Sequence, residues 1–302
     1  MNLKKITSTL TVLLLFLSCS NPTIGNDNTL LWKISGNGLE KPSWIFGTHH
    51  LVPLTFLDSI AGIREAFDSS EQTVGELDMG NMTQMQMEIM QRAMMPQETS
   101  YETLMNEADR AKLDSTLTSL LGMGLAQFGR FRPAMLQNLI SVTLYQQYYP
   151  TLSGGKGLDQ YFQEEALKRN RPVVGLENTD DQIRLLLEMQ SLERQAALLA
   201  CMVNHPELLK EEMDQLQQAY LAQDLEALRA LYTEEEPDDP CPATDEEKNA
   251  LNGARNEKWL EKLPAIMAEH SSFIAVGCLH LPGEEGVIEG LRKLGYKVEP
   301  VH

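Results

Sequence analysis

Two short phrases, one near each end of the chain, share the same build. Gly47-Thr48-His49-His50 follows the run Pro42-Ser43-Trp44-Ile45-Phe46, and Gly277-Cys278-Leu279-His280 follows Ser272-Phe273-Ile274-Ala275-Val276. Each has an apolar stretch, a glycine, a histidine three residues on, and then a leucine, Leu51 or Leu281. Short apolar runs closed by glycine read as buried strands. Glycine at a strand end lets the chain turn sharply and lets the backbone come close to a ligand. A histidine just beyond it stands at the carboxyl edge of a sheet, where open α/β folds gather their functional groups. One Gly-x-x-His quartet is common by chance, and a histidine after a strand is more often a hydrogen-bonded loop residue than a ligand. Two copies with matching flanks point to two histidines that converge on one metal ion or one substrate.

The remaining pattern agrees with a sheet assembled from distant segments. Leu30–Ser35 reads as a strand, Gly36-Asn37-Gly38 as a turn, and Ser43–Phe46 as the next strand. A helix is expected from about Leu57 to Phe67, then a third strand over Gln72–Asp78 with Glu76 near its end. The middle is helical: Asn81–Met94, Glu107–Leu121, Pro133–Tyr148 and Leu158–Lys168 carry helical periodicity, with breaks at Pro96, Gly122-Met123-Gly124 and Ser153-Gly154-Gly155. Arg171–Glu177 returns to strand, and Asp180–Tyr232 is helical again. Thr244–Glu269 is a helix with a bend at Pro264. The chain closes with strand Phe273–Val276, helix Glu284–Leu294 capped by Gly295, and strand Tyr296–Val301. The fold class is therefore α/β, in the α+β sense: a small mixed sheet built from N- and C-terminal segments, with a large helical insertion over about 79–270. No internal repeat is visible.

The first residues read as a targeting signal. Lys4 and Lys5 precede the apolar run Leu10–Leu17, which is too short to span a bilayer, and Ser18-Cys19-Ser20 follows. A small residue and a cysteine after such a run match a bacterial lipoprotein signal, with Phe16 departing from the usual leucine. Cleavage before Cys19 and lipidation of its sulfur would tether the chain to a membrane. The divisions are a signal over 1–18, a tether over 19–28 and one domain over 29–302. An ordinary secretory signal is the alternative; either way the protein leaves the cytoplasm, and the lipid-anchored reading places it in the cell envelope, facing the periplasm. The net charge is −18 and becomes more negative when Lys4 and Lys5 are removed, so a nucleic-acid partner is disfavoured. Of the four cysteines, Cys278 lies in the second histidine motif, which leaves Cys201 and Cys241 able to pair.

Several polar groups join the histidines in this reading. Glu76 and Glu177 each end a strand, and Arg255-Asn256 lies on the helix before the last motif, with Trp259 one turn on. His50, His280 and Glu76 are a ligand set suited to zinc, manganese or cobalt. Glu177 is a candidate general base or fourth ligand, and Arg255 a candidate partner for an oxyanion or a substrate carboxylate. Each has a plainer reading: a solvated strand-end charge for Glu76, a helix cap for Glu177, an ion pair for Arg255 and core for Trp259. No His-Glu-x-x-His helix and no Gly-x-Ser-x-Gly elbow occurs, and Ser153–Gly157 is not a phosphate loop. Seven methionines between Met79 and Met95 read as a flexible apolar helix face, with an adaptable groove for peptide or lipid as the sharper alternative.

Taken in order, these residues resemble the TraB/PrgY/GumN family, which is related to the Tiki metalloproteases. The pattern runs through Trp32-Lys33-Ile34-Ser35-Gly36, Lys41–Thr48, His50-Leu51, Glu76-Leu77-Asp78, Leu158-Asp159, Gly175-Leu176-Glu177, Arg255-Asn256 with Trp259, Val276–Glu284 and Gly295–Val298. The resemblance implies a shared α/β fold. In the Tiki branch it implies proteolysis with a metal held by the two histidines and a glutamate. The implied activity is a lipid-anchored, metal-dependent hydrolase acting on a peptide or protein, with Arg255 and Asn256 positioning the substrate or the tetrahedral intermediate. The alternative is a lipoprotein that sequesters a peptide or small ligand in the same cleft without catalysis. Two departures from the family pattern are His49, where an aliphatic residue is usual, and Cys278, where a small one is.

Overall fold

Leu31–Ser35 (β1) and Ser43–Thr48 (β2) form an antiparallel hairpin. Its turn needs left-handed backbone at three successive residues: φ is 78° at Gly36, 45° at Asn37 and 84° at Gly38. The computed structural model describes residues 28–152, 155–234 and 239–302. The signal segment, Cys19 and most of the expected tether lie outside the described residues, as does part of the acidic stretch after Glu234. No helix among the described residues is long and apolar enough to cross a membrane.

Four further strands complete a six-stranded mixed sheet: Gln72–Gly75 (β3), Val173–Gly175 (β4), Ser272–Gly277 (β5) and Lys297–Pro300 (β6). The order is β4-β3-β5-β2-β1-β6. β4, β3, β5 and β2 are mutually parallel, and β1 runs against both its neighbours. The central strands are buried on both faces, which is why they read as unbroken apolar runs in the sequence. On one face Phe46, Phe273 and Ala275 pack with Phe67, Phe162 and Tyr220 from the helices Ile63–Ser69, Leu158–Lys168 and Pro206–Leu221. On the other, Ile45, Val74, Ile274 and Val276 pack with Trp259, Leu263 and Met267 from the helix Gly253–Glu269, and with Val287, Ile288 and Leu291 from Val287–Lys293. A third cluster joins the helices Glu107–Leu121, Pro133–Tyr148 and Leu192–Asn204 through Leu113, Leu117, Leu136, Ile140 and Leu199. This is the inserted helical layer.

Several element boundaries differ from expectation, three of them for a plain local reason. The Leu57–Phe67 helix is instead a 3-10 segment, Leu54–Ser59, followed by Ile63–Ser69, with Gly62 at φ +69° separating them. The Thr244–Glu269 helix is two helices, Asp245–Leu251 and Gly253–Glu269, which break at Asn252 while Pro264 stays inside the second. β3 stops at Gly75, so Glu76 leaves the ladder. Cys201 and Cys241 form a disulfide with Cα atoms 5.9 Å apart, and Cys278 is free and buried.

Candidate active site

The register of the sheet brings the two histidine motifs together. Gly47 pairs with Val276 and Thr48 with Gly277 on the neighbouring parallel strands β2 and β5, so His50 and His280 leave the same edge. β3 joins β5 with Gly75 opposite Ala275, and β4 joins β3 with Gly75 opposite Gly175. Glu76 and Glu177 are the next residues or nearly so, and leave at that edge too. Four parallel strands thus each deliver one polar group to one place, the carboxyl edge at which α/β sheets bind ligands.

Glycine permits close approach at this edge. A Cβ on Gly47 would lie 2.9 Å from Leu281 Cδ1 and 3.1 Å from Cys278 Cα. One on Gly277 would lie 3.1 Å from Glu76 Oε1 and 3.5 Å from His280 Cδ2. Gly277 instead donates its N–H to Glu76 Oε1 at 2.8 Å.

Each imidazole has its Nδ1 fixed by a buried partner. His50 Nδ1 lies 2.7 Å from Asp159 Oδ2, and Asp159 Oδ1 accepts the Thr48 hydroxyl at 2.6 Å. Asp159 sits in the first turn of Leu158–Lys168, where the helix dipole favours a negative charge. Burial alone would raise the Asp159 pKa, but the His50 charge and the His50 and Thr48 hydrogen bonds hold it below the usual value. The Asp159 charge, then its hydrogen bond, raise the His50 pKa to about 9. The His50 side chain is 67% exposed, and that of Asp159 7%. His280 is the reverse case. It is buried against Trp259, with ring centroids 4.4 Å apart, and burial lowers its pKa to about 4. Asn256 donates through Nδ2 to Asn252 Oδ1 at 2.7 Å and to the Glu285 carbonyl at 2.9 Å, which turns its Oδ1 to His280 Nδ1 at 2.7 Å. His280 is therefore neutral, with the proton on Nδ1 and a lone pair on Nε2.

Arg255 occupies the centre. Its Nη1 donates to His280 Nε2 at 2.9 Å and to the Leu251 carbonyl at 3.3 Å. Its Nη2 donates to Glu76 Oε2 at 2.6 Å and to Glu177 Oε2 at 2.9 Å, and its Nε to Glu177 Oε1 at 2.7 Å. All five N–H donors are engaged, and the guanidinium lies over Trp259 at 4.9 Å. Trp259 Nε1 donates to Glu177 Oε1 at 3.0 Å, and Gln182 reaches both carboxylates. Burial pushes the Glu76 carboxyl up, and the Arg255 charge, the Gly277 N–H and the His50 charge bring it below the ordinary value.

The structure thus gathers His50, Glu76, Glu177, Arg255, Asn256 and His280 at one sheet edge. Asn256 is fully buried, behind His280 rather than in an open position. Among the described residues no group of three or more His, Cys, Asp or Glu side chains is arranged to hold a metal ion. His49 turns away into the core, between Tyr145 and Tyr220, where burial lowers its pKa to about 4. Cys278 is fully buried and burial raises its thiol to about 12. Sequence reasoning assigned no role to Asp159 or to Gln163, which bridges the Leu77 carbonyl and the Met79 N–H and so fixes the loop after Glu76. Asp159 falls in the family pattern with Leu158 and opens a helix after Gly157, but an acid takes that place for the helix dipole alone, so neither signal names His50 as its partner.

A groove of about 550 Å³ opens beside Glu177 and Arg255 and is lined further by Arg184, Leu185, Met189 and Lys258. A larger groove, about 970 Å³, runs along Trp32, Tyr232 and Pro282 and holds none of the converging groups. The helix Met82–Arg92 has no buried side chain, and Met87 is 63% exposed, so its methionines do not serve as core. A family model described as the TraB/PrgY/gumN family matches residues 30–300. No curated protein and no solved structure matches the chain.

Proposed function

The chain belongs to the TraB/PrgY/gumN family, and from that premise we propose a hydrolase of the cell envelope, tethered by lipid on Cys19, that cuts peptide bonds with a divalent metal ion. The observation that carries this reading is the delivery of His50, His280, Glu76 and Glu177 by four parallel strands to one edge. The donor chemistry fits a metal. Both imidazoles have Nδ1 held by an outer partner, Asp159 or Asn256, which is how metal-binding histidines are oriented with Nε2 toward the ion. Glu76 has one oxygen anchored by Gly277 and the other facing a cation, the Arg255 guanidinium. His50, His280 and Glu76 would hold manganese, cobalt or zinc. When bound, such an ion polarises a peptide carbonyl and lowers the pKa of a bound water.

The chain's own groups have distinct tasks in this reading. Asp159 and Asn256 orient the two rings. Trp259 walls the site and keeps water from the buried face of His280. Glu177, pinned by Trp259 and Arg255, holds the guanidinium beside the groove in which the substrate lies. Exposed methionines of Met82–Arg92, tied to Glu188 through Arg92, supply adaptable apolar contact for a peptide.

The test compares the mature chain, residues 20–302, with a His50→Ala, His280→Ala double variant by elemental analysis and a peptide-library cleavage screen. About one equivalent of metal, lost together with cleavage in the folded variant, is the expected result. Full cleavage by a folded His280→Ala protein refutes it. One observation favours the second reading, a ligand-sequestering protein: every Arg255 donor is already satisfied within the chain. Capture of library peptides without turnover, with or without metal, would select that reading.

A further inference from the structure

We propose that Arg255 is an exchangeable cation: its guanidinium bonds to His280 Nε2 and Glu76 Oε2, and a divalent ion must displace it to bind there. The proposal rests on the metal reading above and adds a residue that sets the affinity.

The argument is one of lone pairs. His280 has a single free lone pair, on Nε2, because its Nδ1 proton is committed to Asn256. Arg255 Nη1 donates to that lone pair at 2.9 Å. A metal ion on His280 needs the same electrons, so the two cannot be bound together. At Glu76 the conflict lies on one oxygen: Oε2 accepts Arg255 Nη2 at 2.6 Å and Gln182 Nε2 at 3.2 Å, which occupies both its lone pairs, while Oε1 accepts only the Gly277 N–H. The guanidinium therefore sits on ligand atoms of both residues. Its other contacts do not involve ligand atoms. The Nε and Nη2 bonds to Glu177, at 2.7 and 2.9 Å, and the stacking on Trp259 form a second set of contacts, of which the Nε bond and the stacking are the ones not made through the atoms that must move.

Charge points the same way. The side chains of Glu76, Glu177 and Arg255 are only 14%, 9% and 13% exposed. Removing the guanidinium leaves two enclosed carboxylates without the cation that bonds to both, a costly arrangement that a divalent ion relieves. Metal affinity should thus rise when Arg255 is neutralised. A residue that merely orients ligands would show the opposite.

The test is calorimetric titration of Zn²⁺ and Mn²⁺ into chelator-treated mature chain, as wild type, Arg255→Gln and Arg255→Lys, with circular dichroism to establish folding. We expect Arg255→Gln to bind one equivalent about tenfold or more tighter than wild type, within the range of ordinary coupling between two ligands of one site. Adding His280→Ala to Arg255→Gln should abolish that binding. Arg255→Lys, which keeps the charge but cannot span both ligands, should fall between and carries the test if glutamine prevents folding. Equal or weaker binding by a folded Arg255→Gln, with wild type binding one equivalent, overturns the exchange and leaves the metal reading standing. No binding by either folded protein overturns both.

Discussion

Replacing Asp159 with asparagine removes one charge at almost constant volume and isolates the element that holds His50. The carboxylate lies 2.7 Å from His50 Nδ1 and 2.6 Å from Thr48 Oγ1. Its charge is the leading cause that lifts the His50 pKa from 6.5 to about 9. Burial and Arg255 act in the other direction, so without Asp159 the His50 pKa should fall to the ordinary imidazole range or below. Taken at face value, a rise of that size corresponds to about 3 kcal/mol at 1.4 kcal/mol per pKa unit. The ring is 67% exposed and water screens the pair, so its share of stability is about 1 kcal/mol.

The sign follows from which state binds the proton more tightly. His50 holds its proton more tightly folded than unfolded, so this stabilisation is complete below pH 6.5 and is lost as pH rises through about 9. Asp159 is held below its ordinary pKa, so its contribution is present above the ordinary carboxylate value and lost as pH falls through the depressed one. The metal-free wild type should weaken between pH 6.5 and 9, and Asp159→Asn should be nearly flat there. The assay is NMR titration of the assigned His50 ring resonance, paired with urea unfolding at pH 6 and pH 9. A His50 pKa that stays near 9 in Asp159→Asn would refute the reasoning, because the rise would then owe nothing to Asp159.

Other consequences are simpler. Gly277→Ala places a methyl 3.1 Å from Glu76 Oε1, so it should abolish cleavage and metal uptake while thermal unfolding shows a folded protein. Gly47→Ala meets Leu281 Cδ1 at 2.9 Å and the Cys278 backbone at 3.1 Å, and should cost about 1–3 kcal/mol in urea unfolding through overpacking. Trp259→Phe removes the 3.0 Å bond to Glu177 and leaves that carboxylate short of one donor, which should cost about 1–3 kcal/mol by the same assay. Reduction of Cys201–Cys241, which are separated by 40 residues, should lower stability by about 2–4 kcal/mol, visible as a fall in melting temperature with reductant.

What could be read in advance divides along physical lines. β5 was legible because a strand buried on both faces has no polar alternation to confuse it with surface. The helices Glu107–Leu121, Pro133–Tyr148 and Leu158–Lys168 begin and end where the pattern placed them, because Asn106, Pro133 and Gly157 mark their starts in the residues themselves. The convergence of His50 and His280 was legible from the repeated phrase, since matching strand ends in a parallel pair must share an edge. The inner wiring was not. Asp159 stands 109 residues from His50, and Arg255 stands 179 from Glu76, so neither pair leaves a local trace. Residue type alone offers Arg255 either a substrate anion or an ion pair, and the geometry shows the ion pairs, with all five donors satisfied by the protein. Composition can nominate a cation; only the hydrogen-bond inventory tells whether that cation is free to meet a ligand or already stands where one would bind.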